Sequence, residues 1–424
     1  MTGPSDRHFT AAEPPPTAKI DWRRNLYVIW IAEFVSIVGF SAAMPFLPYY
    51  VQELGIRAAG QVELWSGLLH SMHALAMGIM APVWGSLADR VGHKPMVARA
   101  MFGGALLLTA MGFVRNVQQL LVLRTVQGAV TGTVVASTAL VAAGTPVDQR
   151  GMALGALQMG IYLAASFGPV LGGLTADVAG YRVPFVVTGI LLAVSGVLVS
   201  LQVSEVRAPR EGNSPVSFVD GMRAVIRSAE VLQVFAVRLL VRSAYRSVGP
   251  FLPLFIQLLA PTEEKLSSVV GVVTSAAMVA SALGAVVIGR FGARLGLRRI
   301  LIACVAIGAL THLLQSMTSG VPQLLICQSL SGLAMGGILT SLSAALASAV
   351  PKGCEGVVFG LDSSVVSVAN AIGPMAGGAV AAALGLRMSF VAAAGGFALT
   401  VALLLVQMRS DERRPDSARS EESD

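Results

Sequence analysis

Six charged side chains stand deep inside stretches that are otherwise apolar: Glu33, Arg124, Arg238, Arg242, Arg246 and Asp362. Charge in such surroundings is costly unless it is paired, protonated or wetted. Burial favours the neutral form of a carboxyl, and a nearby cation favours the ionised form. A carboxyl whose cationic neighbour changes between two conformations can therefore take up and release a proton. Glu33 lies about eight residues into its apolar run, roughly 12 Å deep at helical rise, and Asp362 lies at a similar depth in another. Arg238, Arg242 and Arg246 recur every four residues and form one stripe along a helix. Glu33 is expected to be the main proton carrier and Asp362 the second, with Arg238 or Arg242 as the competing positive charge. The alternative is a static Glu33–Arg238 bridge.

The elements that hold these groups follow from composition. Of the 424 residues, 54% are apolar and only 12% charged. Twelve apolar runs are readable, near 25–50, 62–86, 96–114, 118–143, 151–175, 184–203, 230–259, 267–291, 300–317, 321–349, 356–383 and 388–408. Each is about 20 residues or more, enough to cross a hydrocarbon core roughly 30 Å thick as a helix. In lipid each backbone group must pair within its own segment, so an all-α membrane protein is expected rather than a set of strands. The 45 glycines suit helices that approach closely in a membrane.

The chain also states itself twice, at an offset of about 205 residues. Pro45–Pro48 returns at Pro250–Pro253, Gly168–Gly173 at Gly373–Gly378, and Arg182 with Phe185 as Arg387 with Phe390. Gln119, Gly128 and Gly132 return as Gln323, Gly332 and Gly336. Two homologous hydrophobic halves point to a carrier with its site between them. The expected layout is two pseudo-symmetric six-helix bundles, at 21–203 and 229–408. A cytoplasmic linker at 204–228 joins them, and disordered cytoplasmic tails are expected at 1–20 and 409–424. No signal peptide is read before the first span.

Lys and Arg fix the expected orientation. Segments on the side of the termini hold 21 of them and segments on the opposite side hold 5, which predicts cytoplasmic termini. The net charge of +7 is then topology and contact with anionic lipid, with no nucleic-acid partner implied. Cys304, Cys327 and Cys354 are too scattered for a disulfide framework or a zinc site. A Walker loop, a His-Glu-x-x-His helix and a nucleophile elbow are all missing, so the chain does not read as an enzyme.

Three motifs join the spans to the charges. Gly85-Ser86-Leu87-Ala88-Asp89-Arg90-Val91-Gly92-His93-Lys94-Pro95 links the second and third spans. Gly85 and Gly92 permit a tight turn there, Arg90 holds the segment at the surface, and Asp89 suits a neighbouring helix N-terminus. The second copy has Ala293 where the first has Asp89. Arg124-Thr125-Val126-Gln127-Gly128 puts an arginine and an amide on one helical face of the fourth span. Gly168-Pro169-Val170-Leu171-Gly172-Gly173, with its repeat Gly373, Pro374, Gly377 and Gly378, breaks the backbone ladder and lets a helix bend or pack closely. Phe40, His73, Gln127, Tyr162, Arg238, Arg242 and Tyr245 are the candidate cavity lining, with His70 beside His73 and Met72, Met77 and Met80 as adaptable apolar surface.

These motifs resemble, in order, the signature loop of the major facilitator superfamily, its Arg-x-x-Gln-Gly motif and the antiporter motif of drug exporters. Asp21 to Leu26, Met44 to Pro48, Leu64 to Gly67 and Trp84 to Arg90 look most like a multidrug-resistance branch of the twelve-span drug:proton antiporters. The resemblance implies the major facilitator fold and an inner-membrane pump working by alternating access. It would expel drugs or amphipathic small molecules as protons enter, as a monomer with no cofactor beyond the gradient, and with Arg124 implicated in proton transfer. The surplus of arginines over acids inside the spans adds a preference for anionic or zwitterionic substrates. It also keeps a second reading open, in which the chain takes up or exchanges an anionic metabolite.

Overall fold

A computed structural model describes residues 21–58, 60–205, 218–350 and 354–412. The first half contains α1 (Trp22–Ala43), α2 (Leu47–Glu53), α3 (Gln61–Val91), α4 (His93–Met111), α5 (Val117–Val130), α6 (Thr133–Gly144), α7 (Arg150–Ala179) and α8 (Arg182–Gln202). A short helix, α9 (Phe218–Arg227), precedes the second half. That half contains α10 (Ala229–Arg246), α11 (Leu252–Leu259), α12 (Leu266–Leu295), α13 (Leu297–Met317), α14 (Val321–Ala349), α15 (Glu355–Leu384) and α16 (Leu386–Glu412). Single 3-10 turns, Met44–Phe46 and Gly249–Phe251, carry α1 into α2 and α10 into α11. With α5 and α6 as one crossing, the chain passes twelve times and forms two pseudo-symmetric six-helix bundles.

Among the described residues, nine of these spans are long and apolar enough to cross a membrane by length and composition. The second, third and seventh are less apolar because they carry His70 and His73, Lys94 and Arg99, and the three arginines of the stripe. Several boundaries differ from the sequence reading. The second helix runs on to Val91, so Gly85 lies inside it and the turn falls at Gly92, whose φ of 102° favours glycine. The expected linker contains α9, and α16 continues to Glu412. The tails at 1–20 and 413–424 and the linker centre at 206–217 lie outside the described residues. The fourth span is broken at Thr131–Gly132.

The sequence repeat returns as repeated packing. Gly128 of α5 faces the carbonyl of His73, and Gly332 of α14 faces that of Ala277. Gly172 of α7 faces the carbonyl of Ala42, and Gly377 of α15 faces that of Ser247. Gly173 meets Ser267 across the two halves, as Gly378 meets Glu63. The Gly-Pro segments therefore serve twice, packing each helix on its own bundle and on the other one. Pro169 and Pro374 lie inside unbroken helices, so close approach is the role on view. A side chain at these glycines would push backbone from backbone.

On the side away from the termini the bundles are sealed. Phe46, Leu47 and Tyr50 share one buried cluster with Phe251, Leu252 and Phe255. The Tyr49 hydroxyl donates to the Pro253 carbonyl at 2.6 Å, and Gln52 donates to Gln257 at 3.2 Å. On the terminal side a side chain at Gly85, Gly155 or Gly360 would meet nothing within 4 Å.

Replacing Gly172 by Val is expected to cost about 1–3 kcal/mol by overpacking α1 against α7 and to lower the thermal midpoint of the purified protein. Gly155→Ala, in open space, should not lower it.

Candidate functional site

Glu33 on α1 is fully buried. The Ser137 hydroxyl on α6 donates to its Oε1 at 2.6 Å, and its Oε2 has no partner among the described residues. Among those residues no arginine reaches it. The Glu33–Arg238 bridge is not formed, because Arg238 is engaged within its own half. Its Nη1 donates to Asp362 Oδ2 at 2.5 Å and its Nη2 to Ser343 at 3.3 Å. The repeat offset aligns Glu33 and Arg238 in sequence, but each answers to its own bundle.

Arg124, 2% exposed, extends along α5 to Gln127, donating from Nη1 to Oε1 at 2.5 Å. Its guanidinium lies 5.6 Å from the centre of the Phe40 ring, and Phe40 lies 6.3 Å from the His73 ring. His73 Nδ1 is 3.3 Å from the Arg124 carbonyl. Three expected cavity residues, Phe40, His73 and Gln127, thus form one cluster with Arg124, from α1, α3 and α5. Arg124 Nε and Gln127 Nε2 are buried without partners among the described residues. Such donors are expensive to leave unmet, which marks the cluster as a place for water or ligand.

The arginine stripe on α10 divides. Arg238 has an acid; among the described residues Arg242 and Arg246 have none. Both donate from Nε to the same oxygen, Asn370 Oδ1 on α15, at 3.4 and 3.1 Å. An amide leaves their charge uncancelled. Tyr245, between them in sequence, meets His312 edge-on at 6.2 Å, and His312 stacks on Phe397 at 4.9 Å. Tyr162 of α7, in the opposite half, is 49% exposed, and His70 Nδ1 of α3 lies 2.9 Å from the Ser66 carbonyl.

A carboxylate fastens the sealed side. Asp177, near the end of α7, accepts from Ser267 N at 3.0 Å, Ser268 N at 2.8 Å and Ser268 Oγ at 2.6 Å. These donors open α12 in the other half, where a negative charge is favoured. In the signature loop the Asp89 side chain lies outside the described residues. Glu205 occupies the equivalent role for α4, accepting from His93 N at 2.7 Å and Lys94 N at 3.0 Å beside the Gly92 turn. A shallow groove on the flank, lined by Ala110, Phe113, Asn116, Gln119 and Val122, holds no titratable group and is separate from these clusters.

Sequence reasoning missed Ser137, Ser343, Asn370, Asp177 and Glu205. Asn370 carried a readable signal as an amide inside an apolar span. Nothing in the pattern singled out the two serines, whose partners are more than 100 residues away.

A sequence model described as Major Facilitator Superfamily matches residues 29–262 and again 234–424. The chain belongs to the major facilitator superfamily, and membership makes it an integral membrane transporter rather than an enzyme. It is 33% identical over 378 residues to the multidrug resistance protein MdtG of Dickeya zeae, covering 89% of this chain and 93% of that one. With the MdtG of Salmonella arizonae it shares 34% identity over 387 residues, 90% of this chain and 94% of the other. Among solved structures it resembles a bacterial homolog of the human lysosomal transporter Spinster, inward-facing and unoccupied, with a TM-score of 0.75 at 14% identity over 92% of this chain and 97% of that one. The human organic anion transporter MFSD10 (TETRAN) aligns with a TM-score of 0.66 at 18% identity, covering 92% and 100%. At such identities the structural likeness establishes the fold.

Removing one member of the Arg238–Asp362 pair strands a buried charge. Arg238→Leu is expected to lower the stability of the purified protein by about 3 kcal/mol, and Arg238→Leu with Asp362→Leu to recover most of it, as read by denaturation midpoints.

Proposed function

We propose that this protein is a proton-coupled exporter of drugs or other amphipathic small molecules, working by alternating access in the inner membrane. The bundles at 21–203 and 229–408 rock against each other, joined through 204–228. The observation that carries the reading is Glu33: a sealed carboxyl at mid-bundle held by one hydroxyl and, among the described residues, no cation. Its chain is 33–34% identical to multidrug resistance proteins along nearly the whole length. The excess of Lys and Arg on the terminal side, 21 against 5, supports termini in the cytoplasm. The closed contact at Tyr49 and Pro253 then lies on the outer side, and the substrate loads from the cytoplasm.

In this reading Glu33 is the principal proton carrier. A buried carboxyl with so little support is stable when neutral and becomes costly when ionised, so its proton leaves only when the cleft wets it or another charge approaches. Asp362 is the second site, with Arg238 as the cation that competes with its proton. Arg124 and Gln127 tie proton movement to occupancy of the cleft lined by Phe40, His73, Tyr162 and Tyr245. Asp89 and Arg90 steady the loop at Gly92 as the halves move. The gradient supplies the energy, without a cofactor, and one chain suffices.

Arg242 and Arg246 sharpen the substrate class. Two guanidiniums sharing an amide, with no carboxylate bonded to either among the described residues, favour anionic or zwitterionic solutes over lipophilic cations. The same feature supports the second reading, exchange of an anionic metabolite.

Inverted vesicles separate these. Collapsing the pH gradient should stop accumulation by an exporter and leave exchange intact. Glu33→Gln is expected to lower gradient-driven accumulation by about tenfold or more; normal accumulation would remove Glu33 from the carrier role. Arg242→Gln should weaken binding of an organic anion by about ten- to a hundredfold while leaving cationic dyes unaffected.

A further inference from the structure

The fourth span is broken where its repeat partner is continuous. α5 ends at Val130, Thr131 is extended with ψ −175°, and Gly132 has φ 131° before α6 begins at Thr133. In the second half α14 runs from Val321 to Ala349 without interruption, through the matching Gly336. The two glycines serve different ends. Gly336 is pressed against the Ser281 carbonyl, whereas a side chain at Gly132 would meet nothing within 4 Å. Space does not require glycine at 132; the left-handed backbone does.

The break parts two functions. α5 packs on α3 and α4 and carries Arg124 and Gln127 at the cleft, whereas α6 packs on α1, α4 and α7. Its polar tie to α1 is the Ser137 hydroxyl on Glu33, in the second turn of α6. Among the described residues no other charge contends for it. α6 holds no titratable residue, and α8 holds only Arg182 at its far end. α7 holds Arg150 and Asp177 near its ends and the exposed Tyr162 between them, while α1 adds Arg23, Arg24 and Tyr27 at the terminal side.

We propose that Thr131–Gly132 is a hinge, with Ser137 as a positioning residue, through which the charge on Glu33 sets the angle of α6 against α5. An ionised Glu33 holds α6 by a charge-assisted hydrogen bond from Ser137, about twice as strong as a neutral one. A protonated Glu33 relaxes that hold and lets α6 swing. The motion reaches Arg124 because α5 and α6 meet at the break. The proposal rests on Glu33 carrying the proton.

The test is a distance. Spin labels at Val122→Cys and Val135→Cys, both outward-facing, flank the break about 20 Å apart along the helix. The three native cysteines are replaced and the full chain is placed in lipid nanodiscs. On acidification the distance distribution should shift by several ångströms. The shift should vanish in Glu33→Gln, move along the pH axis in Ser137→Ala, and return to its original place in Ser137→Thr. A distribution unchanged by pH, in a protein whose Glu33→Gln form has lost gradient-driven export, overturns the hinge alone. Normal export by Glu33→Gln overturns the carrier role and the hinge with it.

Discussion

A carboxyl sealed in a hydrocarbon-thick bundle must find a cation, a set of donors or a proton. Everything chemical in this structure follows from how that requirement is met. Asp362 meets it with Arg238. Glu33 meets it only in part, with one serine and an oxygen left without a partner among the described residues. A site so thinly supported is sensitive to small changes in hydration, and the opening and closing of a cleft supplies such changes. The remaining charges, on Arg124, Arg242 and Arg246, have amides rather than acids for company and so remain available to a solute.

The scaffold is symmetric and its chemistry is not. Glycines at matching places in the halves bring the same helices to the same separations, and the far-side arginines repeat too. Arg182 donates to Gly112 and lies over Tyr50, while Arg387 donates to Ser316 and lies over Phe255. Function sits where the copies diverge. Glu33 faces no acid in its repeat but Arg238; Asp177, which fastens the sealed side, has Ala382 at its matching position; Gly132 breaks a helix that Gly336 leaves whole. One set of packing contacts keeps the halves interchangeable as rockers, and substitutions on that frame give each half its own charge.

Much of the frame is legible in the sequence because lipid enforces it. Long apolar runs must be helices, a constant offset must be a duplication, and the paired Gly-Pro segments must be close contacts. Arg124 and Gln127 can be paired by position alone, since helical spacing puts them on one face, as the structure has them. The pairings of the acids cannot. The repeat offset sets Glu33 against Arg238, but partners are decided by helix rotation within each bundle, which apolar periodicity hardly constrains when every face is apolar. The break at Gly132 is hidden for a related reason. Glycine in a membrane span most often marks close packing, as Gly336 does, and the same letter serves both purposes. The turn expected at Gly85 fails because polar residues near a membrane surface need not end a helix; that one runs on to Gly92.

The central claim is that the Glu33 carboxyl changes protonation state as the cleft changes shape. Infrared difference spectroscopy reads this directly, through the carbonyl stretch of a protonated carboxyl in purified protein taken from acidic to alkaline conditions. The account predicts a carboxyl band that is present in acid and lost in alkali in the native chain and is missing from Glu33→Gln. Identical difference spectra from the two proteins would contradict it.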